Sequence, residues 1–124
     1  MISPNAVPHR HVHASLRKTQ REACIAARES VPEPQRAAWT RQIEVHLDKL
    51  LARLGPQCLG FCWPHRGEPD LREWVGRWLE DVPGRTATLP VVTEKATPMS
   101  FRRWSPESAM SADRHGIPIP AEGS

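Results

Sequence analysis

The chain has 124 residues, 17 Lys and Arg against 14 Asp and Glu, and a formal charge of +3, a size that suits one domain with a modest core. Its charges are interleaved: Arg17, Arg21 and Arg28 run beside Glu22 and Glu29, and Arg72 and Arg77 beside Glu73 and Glu80, the pattern of solvated helix faces rather than of a nucleic-acid-binding stripe. No secretory or transmembrane segment is evident, and three cysteines without a Cys-x-x-Cys pair point to a reducing, cytoplasmic setting with no membrane partner.

Residues 1–12 lack periodicity and are expected to fray, with His9, His11 and His13 a loose trio rather than a metal-binding tract. Residues 13–30 favour helix, with Leu16, Ala23 and Ala27 as a weak apolar stripe and Arg17 and Arg21 one turn apart on the next face. Pro32 and Pro34 separate this from a second helix over 35–54, in which Ile43, Leu47, Leu50, Leu51 and Leu54 keep the helical period and Gly55 supplies the stop. The 13 prolines and 7 glycines thus punctuate elements rather than signal disorder.

The run Cys58-Leu59-Gly60-Phe61-Cys62-Trp63 is short, apolar and aromatic, framed by Gly55-Pro56 and Pro64, and reads as a buried strand. On such a strand Cys58 and Cys62 stand about 13 Å apart, too far for a disulfide. Leu71, Trp74, Val75, Trp78 and Leu79 then recur at the spacing of an amphipathic helix. Residues 86–93, centred on Leu89-Pro90-Val91-Val92, and Met99 to Arg102 look extended. Pro90 argues for an edge position, a strand end or a bulge. Residues 106–114 read as a short helical turn closed by Gly116, and 118–124 as a frayed tail. The order ααβαββ predicts an α/β unit over residues 13–117, a truncated three-layer arrangement with helices on the faces of a small sheet.

Between the first strand and the third helix lies Trp63-Pro64-His65-Arg66-Gly67-Glu68-Pro69-Asp70. A loop at this place collects the C-terminal edge of the strand and the unpaired N–H groups of the helix, where ligands of open α/β sheets lie. Glu68 and Asp70 are placed either to face a ligand or to cap the helix, with Asp70 better suited to the cap and Glu68 further out in the loop.

Three pieces line up along the chain: Leu16-Arg17 on the first helix; Trp63-Pro64 with Gly67-Glu68 after the first strand; and Leu89-Pro90-Val91-Val92 followed by Met99-x-Phe101 and Gly116-Ile117. The arrangement resembles the N-terminal part of the 5-formyltetrahydrofolate cyclo-ligases, also called methenyltetrahydrofolate synthetases, from about His13 to Pro120. The resemblance implies an enzyme that converts 5-formyltetrahydrofolate to 5,10-methenyltetrahydrofolate with ATP and Mg2+. In that family ATP phosphorylates the formyl oxygen, N10 attacks the activated carbon and phosphate leaves, so the protein's work is alignment and charge neutralisation.

Residue by residue, the resemblance implies that the ATP-contacting element of the first helix falls on His13 and Arg17, with His13 where the family has lysine. No acid lies one turn from Arg17; repulsion from Arg21 favours an anionic partner. The folate-contacting positions fall on Trp63, a flat apolar wall, and Glu68, an acceptor for pterin N–H groups. Met99 and Phe101 would extend that wall, or pack as ordinary core, and Trp104 would join them or stand as an exposed or capping aromatic. The family continues with further strands and a Gly-x-Gly-Gly-Gly-Tyr-Tyr-Asp-Arg phosphate loop, which the 124 residues, with no tyrosine, do not contain. An unpaired sheet edge and self-association through it are therefore expected. The alternative to an enzyme is a truncated, non-catalytic remnant that binds folate weakly.

Overall fold

The computed structural model describes residues 7–92 and 98–121. They form a mixed α/β structure with α1 (Val7–Glu29), α2 (Glu33–Leu54), β1 (Cys58–Gly60), α3 (Arg72–Asp81), β2 (Thr86–Val91), β3 (Ser100–Trp104), β4 (Met110–Ala112) and β5 (Pro118–Pro120). β1, β2 and β3 make one sheet in that order, and β4 and β5 make a second. β1 and β2 are parallel, joined through α3, with Leu59 opposite Ala87; β3 returns antiparallel, with Leu89 opposite Arg102.

The core forms where the period-2 face of β2 meets the apolar stripe of α3. Ala87, Leu89 and Val91 are buried on β2, and Trp74, Val75 and Trp78 on α3. Trp104 is buried with them rather than exposed, and Leu47 and Leu51 of α2 pack on the cluster. The indole N–H of Trp74 donates to Asp48 Oδ1 at 2.8 Å, which meets the requirement that a buried donor find a partner. α2 ends at Gly55, whose N–H donates to the Leu51 carbonyl at 2.8 Å.

Among the described residues the sheet is covered on one face, not two. Arg102 shares the Leu89 side and donates to the Pro120 carbonyl at 3.0 Å, tying β5 to that same face. The opposite side carries Cys58, Gly60, Phe101 and Arg103, all exposed. The cause is compositional: the odd positions of β2 are Ala87, Leu89 and Val91 and the even ones Thr86, Thr88 and Pro90, and no described helix turns an apolar stripe to the even ones.

Pro90 lies on the central strand, close to its end. The Phe61 N–H donates to the Thr88 carbonyl at 3.1 Å, so even-numbered residues of β2 turn their main chain to β1. A donor at position 90 would continue the parallel ladder to Phe61; proline has none, and the ladder stops.

Three expectations at the ends of the chain are corrected. Helix begins at Val7, within the segment expected to fray. Residues 110–112 and 118–120 are strands, not a helical turn and a loose tail. Their hairpin is built by Asp113, whose Oδ1 accepts the N–H groups of His115 and Ile117 at 2.8 and 2.9 Å. Asp113 three residues before Gly116 is a turn signal, but three-residue strands are too short to show a period.

Candidate functional site

The loop after β1 closes on itself between His65 and Glu68. The Glu68 N–H donates to the His65 carbonyl at 3.2 Å, with Arg66 at φ 49° and Gly67 at φ 83°, the two left-handed centres of a type I′ turn. Glu68 braces the turn again from its side chain, Oε1 accepting the His65 N–H at 3.0 Å. A non-glycine residue at positive φ costs about 1–2 kcal/mol, and Arg66 is held there from both ends. Its guanidinium donates to Glu29 through Nε and Nη2 at 3.3 and 3.0 Å, and its carbonyl accepts from Arg28 Nε at 2.9 Å. The end of α1 is thereby latched to the loop. Arg66 holds the Glu29 carboxyl below the usual carboxylate range by hydrogen bonding to it.

At the other end of the loop, Leu71 rather than Asp70 occupies the N-cap of α3. Asp70 still serves the helix start, its Oδ1 accepting the Arg72 N–H at 3.1 Å, while its carboxylate takes the Arg72 guanidinium at 2.8 and 2.7 Å. That pairing with Arg72 lowers the Asp70 pKa. The same guanidinium lies 4.7 Å from the centre of the Trp63 ring, and Trp63 meets Trp104 edge-on at 6.4 Å between centroids. The open flat wall expected of Trp63 is therefore already covered on one side by Arg72.

Two depressions adjoin along Asp70, Glu73 and Arg77. One, of about 980 Å³, lies between the end of α1, α2 and the loop and includes Glu68, Arg36 and Trp39. The other, of about 540 Å³, includes Trp63, Arg72 and Trp104. Trp63 and Glu68 thus look into neighbouring grooves rather than one pocket.

The remaining expected site residues lie elsewhere. Met99 and Phe101 are 55% and 61% exposed; Phe101 belongs to the uncovered face of the sheet, and Met99 shares its side by alternation. They neither pack in the core nor extend the Trp63 wall. Strand alternation alone explains this, because Trp104, three positions from Phe101, points the other way. His13 and Arg17 are exposed on α1. Arg17 lies 11 residues before Arg28, about 16 Å along the helix, and His13 about 22 Å. The described residues contain no group of three metal-ligating side chains.

Arg28, Glu29, Arg66 and Arg72, which shape the loop, were not among the expected site residues. Arg66-Gly67 is a weak turn signal beside the favoured Asn-Gly, and a partner 37 positions away leaves no local trace. The chain matches no protein-family model and no curated protein. No helix among the described residues is long and apolar enough to cross a membrane.

Proposed function

We propose that the chain is a 5-formyltetrahydrofolate cyclo-ligase-like protein that holds reduced folate at the loop between β1 and α3. The observation that carries the reading is the loop itself: a parallel βαβ crossover presents Glu68 and Trp63 in adjoining grooves at the C-terminal end of β1, where α/β sheets receive ligands. One oxygen of Glu68 braces the turn, and the other has no partner among the described residues, which suits it to accept a pterin N–H. A pterin or aminobenzoyl ring reaches Trp63 by displacing Arg72. The exchange gives up a cation–π contact worth about 0.5–1 kcal/mol and the partly exposed Asp70 pair of the same guanidinium, worth up to about 1 kcal/mol, for aromatic stacking worth about 0.5–1.5 kcal/mol, so the rest of the ligand supplies the net affinity.

In this reading the family's ring closure, with ATP and Mg2+ as cofactors and 5-formyltetrahydrofolate as substrate, is the activity, and Arg17 with His13 is the nucleotide side. One observation favours the second reading, a non-catalytic remnant that binds folate weakly: the ~16 Å of helix between Arg17 and the loop.

Two measurements on the full chain separate the readings. Titration with 5-formyltetrahydrofolate is expected to quench tryptophan fluorescence, and Trp63→Phe to remove most of the change. Addition of Mg-ATP is expected to produce the methenyl product, read by its near-ultraviolet absorbance. Quenching without product leaves the remnant; neither signal overturns both readings.

A further inference from the structure

The outer edge of β3 has a self-complementary pattern. Even-numbered residues of β2 turn their main chain to β1, so odd-numbered ones turn to β3, and Val91, Leu89 and Ala87 stand opposite Ser100, Arg102 and Trp104. The main-chain groups of those three β3 residues therefore face β2, and those of Phe101 and Arg103 face outward. Among the described residues no strand pairs on that side. The outward-facing residues also carry exposed side chains: Phe101 at 61% and Arg103 on the uncovered face, with Met99 at 55% on the same alternation.

A second strand meeting this edge must set outward-facing main chain against outward-facing main chain. A two-fold antiparallel pairing that sets at least three β3 residues of each copy against β3 of the other has its centre at Phe101, Arg102 or Arg103. The latter two place a pair of identical arginines directly opposite, and like charges across a strand pair are destabilising. Only the centre at Phe101 avoids this. It sets Phe101 against Phe101, Arg103 against Met99 and Arg102 against Ser100, so that each arginine meets a neutral residue and the two exposed aromatics meet each other.

We propose that the chain forms a two-fold dimer through antiparallel pairing of β3 with β3 centred on Phe101, which joins the two three-stranded sheets into one. An edge flanked by arginines resists open-ended stacking, and a two-fold contact closes after two copies. The proposal does not depend on folate or nucleotide binding.

The test is sedimentation velocity of the full chain over roughly 1–200 μM, which brackets micromolar dissociation constants. Wild type is expected to shift from monomer to dimer without larger species. Phe101→Asp places two carboxylates at the centre and is expected to weaken the dimer at least ~10-fold. Met99→Glu sets an acid opposite Arg103 of the second copy and is expected to hold or tighten it, whereas a merely sticky apolar patch would be weakened by both substitutions. The three substituted or facing side chains are exposed, and far-ultraviolet circular dichroism checks that the fold is kept. Monomer throughout, growth beyond dimer, indifference to Phe101→Asp, or equal loss in both variants overturns the proposal; the last would indicate a different occupant of the same face.

Discussion

Replacing Gly67 with alanine tests whether the loop is seated on the end of α1. Gly67 has φ +83°, and a Cβ there would stand 3.2 Å from Arg28 Cγ and 3.3 Å from the Arg28 carbonyl carbon and oxygen. The backbone conformation alone costs an L-residue about 1–2 kcal/mol. The contact adds a second cost, because two of the three atoms met are main chain of a helix and cannot turn aside. If α1 stays, the crowding costs about 1–3 kcal/mol. If α1 swings off, the chain loses the exposed Arg66–Glu29 pair, worth up to about 1 kcal/mol, and the Arg28 hydrogen bond, worth about 1 kcal/mol. The cheaper route sets the cost, so the excess is about 1–2 kcal/mol. Gly84 supplies the control, since it has φ +92° but nothing within 4 Å of its would-be Cβ. Urea unfolding is therefore expected to show Gly67→Ala less stable than wild type by about 2–4 kcal/mol and Gly84→Ala by about 1–2 kcal/mol. Equal losses at the two positions would refute the seating of the loop on α1.

Three further outcomes follow from the core and the ion pairs. Leu89→Ala empties a site only 2% exposed at the centre of β2 and is expected to cost about 3 kcal/mol in denaturant unfolding. Asp48→Ala strands the indole N–H of Trp74, which is 4% exposed; a loss of about 1–2 kcal/mol is expected, with a change in near-ultraviolet circular dichroism from the altered indole. Asp70 has a folded pKa below its ordinary value because Arg72 binds the carboxylate. Its stabilising contribution is thus complete above the ordinary pKa of ~3.9 and is lost as pH falls through the folded value. Asp70→Asn is expected to flatten that acid limb of the stability curve, and by little at high salt, since the two side chains are 49% and 41% exposed.

Helices α2 and α3 were legible because each carries a period, and β1 and β2 as short apolar runs, although β1 spans only Cys58–Gly60 and both its ends are exposed rather than buried. Leu71 to Leu79 repeats at the helical spacing, and Trp74, Val75 and Trp78 are buried as that spacing requires. Leu89 and Val91 alternate with half-buried neighbours on β2. The proline at position 90 was readable as an edge position, a strand end or a bulge; that it lies near the end of the central strand and stops the β1–β2 ladder at Phe61 needed the register. β4 and β5 escaped because three residues hold no measurable period, and α1 extended further than its weak stripe suggested.

The candidate site was legible as a place and not as an arrangement. A strand-end loop between Trp63 and Asp70 follows from local pattern alone, since glycine and proline near a strand and a helix start limit what the chain can do there. That Glu68 spends one oxygen on the turn, that Arg72 lies over Trp63, that Arg66 reaches Glu29, and that Phe101 faces away from Trp104 are results of pairing between distant segments. Periodicity constrains which residues share a face of one element; it carries no information about which face of the next element meets it. Sequence by itself determined the mixed α/β class, the βαβ crossover and the position of the loop. The tertiary structure decided that, among the described residues, one side of the sheet is left uncovered, because registry and packing between elements depend on contacts that no local window contains.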